Sequence, residues 1–165
     1  MYCQQALQSS TNEPFSNSTE LNFHFISKFL EINELKFVAN GHLFEKYPLV
    51  VGSRCNLPFL LDIKGIGKNV KGEIFKLNDA KFLPFFDDFE DCPIYYERKL
   101  CLAESDENPK TEYLCYTYFL TNFLPELLNF PFLDDYSSKV HGKTCQITKN
   151  GMHNCLDYMV DVKIT

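Results

Sequence analysis

The stretch Phe82-Leu-Pro-Phe-Phe-Asp-Asp-Phe-Glu-Asp-Cys-Pro-Ile-Tyr-Tyr-Glu-Arg98 sets Asp87, Asp88, Glu90 and Asp91 among aromatic side chains. On a helix, residues four apart stack on one face, so Phe82, Phe86 and Glu90 share a stripe. Asp87 and Asp91 form a neighbouring row, and Asp88 projects from another side. Glu90 therefore borders an apolar stripe, while the three aspartates make a solvated face. A carboxyl drawn out of water has its pKa raised, because burial disfavours the charged form, and nearby negative charge pushes the same way. Such a group can take up a proton and later return it, which is general acid-base chemistry.

A helix carrying Glu90 needs a start, a stop and a surface to lie on. Asn78 and Asp79 supply a cap ahead of it. Pro84 is tolerated only near the first turn, so the helix begins near Pro84 or bends there. Cys92-Pro93 ends it. Strands are expected at Tyr47-Pro-Leu-Val-Val51, ending at Gly52, at Asn56-Leu-Pro-Phe-Leu-Leu61, at Val70 to Leu77 and at Tyr95 to Leu102. Glu112-Tyr-Leu-Cys-Tyr-Thr-Tyr-Phe-Leu120 is the strongest strand signal, being rich in aromatic and β-branched residues. Lys64-Gly-Ile-Gly67 reads as a turn, and 103–110 as a charged loop. Leu21 to Phe37 carries a weak helical period. Residues 1–20 are polar and read as a disordered or divergent arm, with a domain over 21–165. Short strands with a few short helices predict an α+β fold built on a small barrel or curled sheet.

The 165 residues are enough for one well-formed core. Sixteen Phe and nine Tyr, without Trp, predict an aromatic interior. A net charge of -6 and scattered Lys and Arg argue against nucleic acid and anionic membrane surfaces as partners. The amino terminus has no basic region followed by an apolar core, so it does not resemble a secretory signal. No apolar run is long enough to cross a membrane. The seven cysteines are widely spaced and odd in number, which predicts reduced thiols and a cytoplasmic protein.

Other chemistries find little support. His24, His42, His141 and His153 stand apart, with no Cys-His cluster for a metal. Cys92 has no histidine near it in sequence to activate a thiol. Tyr96 and Arg98 alternate onto one side of a strand. The tyrosine is expected to pack, and Arg98 to pair with a helix aspartate. Tyr118, on the strongest strand, is expected to pack in the core.

One resemblance joins these segments. Glu45-Lys-Tyr-Pro-Leu-Val-Val-Gly52, Asn56-Leu-Pro-Phe-Leu-Leu61, Val70-Lys-Gly-Glu-Ile-Phe75 and Phe86-Asp-Asp-Phe-Glu-Asp-Cys-Pro93 follow one another, the last with Tyr96 and Arg98. Cys115-Tyr-Thr-Tyr118 and Tyr136 through His141-Gly142 come after. In order and spacing the set resembles the gamma-glutamylcyclotransferase-like superfamily, and most of all its aminecyclotransferase branch. The resemblance implies a small barrel-like α+β fold and release of 5-oxoproline from a small gamma-glutamyl amine. Gamma-glutamyl-epsilon-lysine, the remnant of a transglutaminase crosslink, is such a compound. It implies no metal or organic cofactor, and it sets the catalytic glutamate at Glu90. It also implies a Tyr-Gly-Thr-Leu loop whose backbone amides hold the substrate carboxylate. Counting back from Phe37 sets that loop near Pro14-Phe-Ser-Asn17, where the residues differ. A second reading rests on that difference: a non-catalytic binding or interaction protein on the same scaffold.

Overall fold

The computed structural model describes residues 3–6, 29–54, 56–137, 140 and 162–164. Five strands close into a barrel in the order β1-β5-β2-β6-β7, where β1 is Cys3–Ala6, β2 Leu35–Leu43, β5 Lys71–Leu77, β6 Tyr96–Ser105 and β7 Glu112–Leu120. A separate hairpin of β3 (Leu49–Gly52) and β4 (Leu57–Leu60) packs beside it. The α+β class with a small barrel, expected from the sequence, is the class observed.

The barrel has two apolar sides. Inward-facing Ile74, Ala103 and Cys115 pack together, and Leu43, Val70 and Phe119 join Tyr47 and Tyr136 farther along. On the outer face of β5, Phe75 and Leu77 pack with Phe29, Leu35 and Phe86. The hairpin adds Val50 and Phe59, which pack with Leu61, Leu120, Leu127 and Val162. Each strand alternates one side chain in and one out, so a single strand serves both clusters.

β2 departs from the sequence expectation, which carried a weak helical period to Phe37. It pairs Phe37 with Phe75, then Ala39 with Ile74, and the register shift between them is a β-bulge. The extra residue, Val38, moves the odd-numbered side chains from one face to the other. Leu35 and Phe37 therefore meet the outer cluster, while Ala39, Gly41 and Leu43 line the interior. No single alternation spans the strand, which is why its pattern is hard to see in the sequence. Gly41 sits where β2 pairs both β5 and β6, opposite Gly72 and Ser105. A Cβ there would lie 2.4 Å from the Glu104 carbonyl oxygen and 2.8 Å from Ile74 Cδ1. Gly41→Ala should therefore destabilise the fold by about 1–3 kcal/mol, read as a lower urea midpoint at unchanged slope.

Two further expectations are corrected. β6 runs to Ser105, beyond the expected end at Leu102, because Gly41, His42 and Leu43 pair with Ser105, Glu104 and Ala103. The charged loop is correspondingly shorter. Within the polar amino-terminal arm, Cys3–Ala6 forms a strand, antiparallel to β5 and parallel to β7. Its composition is poor for a strand, but β5 and β7 would otherwise present open edges, and pairing both closes the barrel. The remaining expectations for residues 7–20 fall outside the described residues, as does the expected loop at Pro14–Asn17. Gly65 and Gly67 adopt φ of 90° and 91°, as a tight turn in Lys64–Gly67 requires. Among the described residues, no helix is long and apolar enough to cross a membrane.

Candidate active site

Asp79 caps a 3-10 turn over Ala80–Phe82 by accepting from the Lys81 amide at 2.9 Å. The helix that follows, α1, spans Leu83–Phe89. Pro84 lies in its first turn, where its missing N–H breaks no bond. Phe86 is buried in the outer cluster with Phe29 against it, and Phe82 packs in turn on Phe29. Glu90 is the C-cap, its amide bonded to the Phe86 carbonyl at 3.0 Å.

Beyond Glu90 the chain closes in a Schellman arrangement. The Cys92 amide bonds to the Asp87 carbonyl at 2.8 Å, and the Asp91 amide to the Asp88 carbonyl at 3.2 Å. Asp91 occupies the left-handed position, with φ of 51°. Glycine is the usual occupant there, since it has no Cβ to crowd the carbonyl. Asp91→Gly should raise stability by up to about 1 kcal/mol and leave the Glu90 geometry intact. Thermal unfolding checks this, and a lower melting temperature would contradict it.

Glu90 is half-buried. Among the described residues its carboxyl has no hydrogen-bond or ion-pair partner. It keeps an opening to solvent, yet protein surrounds it closely enough that desolvation pushes its pKa up to about 7. Burial alone is the cause; the neighbouring aspartates do not contribute. That corrects the expectation that their charge would help.

The aspartates also divide. Asp88 and Asp91 are exposed, as a solvated face requires. Asp87 is not part of that face. Its carboxylate is half-buried and accepts from Arg98 Nη1 at 2.9 and 2.8 Å and from the Tyr118 hydroxyl at 2.8 Å. Arg98 therefore holds a helix aspartate, as its alternation on β6 suggested. Its guanidinium also lies over the Tyr116 ring, 4.7 Å from the centroid. Arg98 and Tyr118 are direct cross-strand partners, so the sheet itself brings them together. Tyr118 packs against the outer aromatic cluster and not in the barrel interior. Burial and the hydrogen bond to Asp87 hold its phenol protonated. Tyr96 packs with the hairpin cluster.

Sequence reasoning missed several polar groups on the sheet. Glu73, on the same face of β5 as Phe75, is raised by desolvation. Lys99 pairs with Asp62, and lies 3.5 Å from Glu97. The buried Tyr47 phenol, hydrogen-bonded to the Cys101 thiol, is pushed up to about 12, chiefly by burial. Each is polar on a strand face that reads as structural, and contacts such as Lys99 to Asp62 join residues far apart in sequence. Cys92 is half-exposed beside Glu90.

Residues 22–131 match the family described as Gamma-glutamyl cyclotransferase, AIG2-like. Gamma-glutamylaminecyclotransferase B of Danio rerio is 40% identical over 107 residues, covering 64% of this chain and 56% of that protein. Gamma-glutamylaminecyclotransferase of Bos taurus is 37% identical over 103 residues, covering 62% and 60%. The matched stretch thus spans less than two thirds of either protein. The Homo sapiens protein of that name is 36% identical over 112 residues, covering 62% of this chain and 72% of its own length. A crystal structure of an AIG2-like protein from Mus musculus superposes with a TM-score of 0.66 at 28% identity, covering 84% of this chain and 91% of the other.

Proposed function

The chain belongs to the gamma-glutamyl cyclotransferase, AIG2-like family, and from that premise we propose that it cyclises a gamma-glutamyl amine, releasing 5-oxoproline and the free amine. One observation carries the reading. Among the described residues Glu90 offers an unpartnered carboxyl at a helix end, where desolvation pushes its pKa up to about 7. Relatives named gamma-glutamylaminecyclotransferase support an amine as leaving group, with gamma-glutamyl-epsilon-lysine as the substrate to try.

The reaction is intramolecular. The substrate's alpha-nitrogen attacks its own gamma-carbonyl carbon, a five-membered ring forms, and the gamma-amide C–N bond breaks. The attacking ammonium gives up two of its three protons, and the departing nitrogen gains two to leave as an ammonium. Ionised Glu90 takes a proton from the alpha-nitrogen, which frees its lone pair. Protonated Glu90 then delivers one to the leaving nitrogen, and the cycle repeats for the second. A pKa near the working pH suits both halves of that task. The remaining acceleration comes from holding the substrate in its reactive conformation and stabilising the tetrahedral oxyanion.

The test is direct. The protein is incubated with gamma-glutamyl-epsilon-lysine, and 5-oxoproline and lysine are measured by chromatography. Equimolar release supports the reading. Saturable binding without release would favour the non-catalytic alternative, which rests on the residues at Pro14–Asn17 that differ from the family loop.

A further inference from the structure

We propose that Asp87, Arg98 and Tyr118 form a clamp that positions the Glu90 carboxyl, with Asp87 as the point that ties the end of α1 to strands β6 and β7. The inference rests on the reading of Glu90 as the acid-base group.

Asp87 is bonded at both its main chain and its side chain. Its carbonyl receives the Cys92 amide at 2.8 Å, the bond that closes the turn around Glu90. Its carboxylate receives Arg98 at 2.8 and 2.9 Å and the Tyr118 hydroxyl at 2.8 Å. The two sheet residues face each other across the β6–β7 ladder, so they share one rigid platform. The Arg98 guanidinium is further fixed by stacking on Tyr116. Glu90 lies three residues, less than one helical turn, past Asp87. A seven-residue helix is too short to hold its own end still. The apolar contacts of Phe82, Leu83 and Phe86 hold the start and middle of the segment against the outer cluster. The charged clamp holds it on the side of Glu90. Three hydrogen bonds to one carboxylate exceed what a solvated surface aspartate needs.

The clamp also keeps Glu90 in the desolvated position that raises its pKa. The charged or titratable groups of its own segment are Asp87, Asp88 and Asp91, and those that the strands bring to Asp87 are Arg98 and Tyr118.

Four proteins decide the matter: wild type, Asp87→Asn, Tyr118→Phe and Glu90→Gln. Turnover of gamma-glutamyl-epsilon-lysine is measured across pH, and the Glu90 carboxyl is titrated by carbon-13 NMR. Both clamp variants should lose about 10–100-fold in kcat, with KM changed less than about two-fold. Asp87→Asn releases the end of α1 and lets water reach Glu90, so the Glu90 midpoint should also move to lower pH. A folded Asp87→Asn protein with wild-type kcat and an unmoved Glu90 midpoint overturns the clamp. Should Asp87→Asn fail to fold, Tyr118→Phe decides, because it removes only one hydroxyl; an unchanged kcat then overturns the proposal. Activity retained in Glu90→Gln would instead overturn the function, and the Glu90 midpoint in Asp87→Asn would still report on the clamp.

Discussion

Glu90→Gln should lower 5-oxoproline release by about 10²–10⁴-fold while making the protein more stable at pH 8. Glutamine keeps the shape of the side chain and cannot cycle a proton. The stability gain follows from the raised pKa. In the unfolded chain the carboxyl titrates at its ordinary value near 4.5, and in the folded protein near 7. Between these values the folded state holds a proton that the unfolded state has lost. Stability therefore falls as pH rises through that window, and the full penalty persists above it. Its size is at most about 3 kcal/mol, reduced because Glu90 is only half-buried. Glutamine carries no charge and escapes the penalty. Its melting temperature should exceed that of the wild type by several degrees at pH 8, and the difference should vanish near pH 4. A purely structural glutamate predicts the reverse, with lower stability and little change in turnover. Scanning calorimetry at both pH values, beside the activity assay, separates the two.

Phe119→Ala should cost about 3–5 kcal/mol, the largest expected loss of stability among these variants. Phe119 is fully buried, with its ring 4.7 Å from that of Tyr47. It packs with Leu43, Val70 and Tyr136 inside the barrel, where truncation leaves a cavity that strands cannot collapse to fill. It is also the residue next to Tyr118 on β7, pointing in where Tyr118 points out. Loss of this anchor loosens the platform for the Asp87 clamp, so activity should decline with stability. The urea midpoint should fall with the slope unchanged. A loss under about 1 kcal/mol would mean that the barrel wall closes around the gap.

These two residues also show how far the sequence could be read. Aromatic and β-branched residues made β7 plain but not its facing: Tyr118 was expected in the core, and Phe119 occupies it. The Phe82, Phe86, Glu90 stripe placed Glu90 beside an apolar face, and the short helix ends at that residue. The raised pKa was foreseen with one cause too many, since burial alone accounts for it. Arg98 was foreseen as the partner of a helix aspartate, but neither which aspartate nor the Tyr118 hydroxyl was legible. That choice depends on a cross-strand pairing between residues 20 apart in the chain. β2 was hidden by its bulge, which breaks the two-residue period at Val38. The strand at Cys3–Ala6 was hidden because its pairing comes from two open edges and not from its own composition. Local pattern shows in the sequence; register and edge pairing do not.

The most direct measurement is the pH dependence of 5-oxoproline release from gamma-glutamyl-epsilon-lysine by the wild-type protein. The account predicts measurable turnover whose rate rises through a midpoint near pH 7 as Glu90 ionises, and which Glu90→Gln lacks. Folded protein that releases no 5-oxoproline at any pH, or that does so equally well without the Glu90 carboxylate, would contradict it.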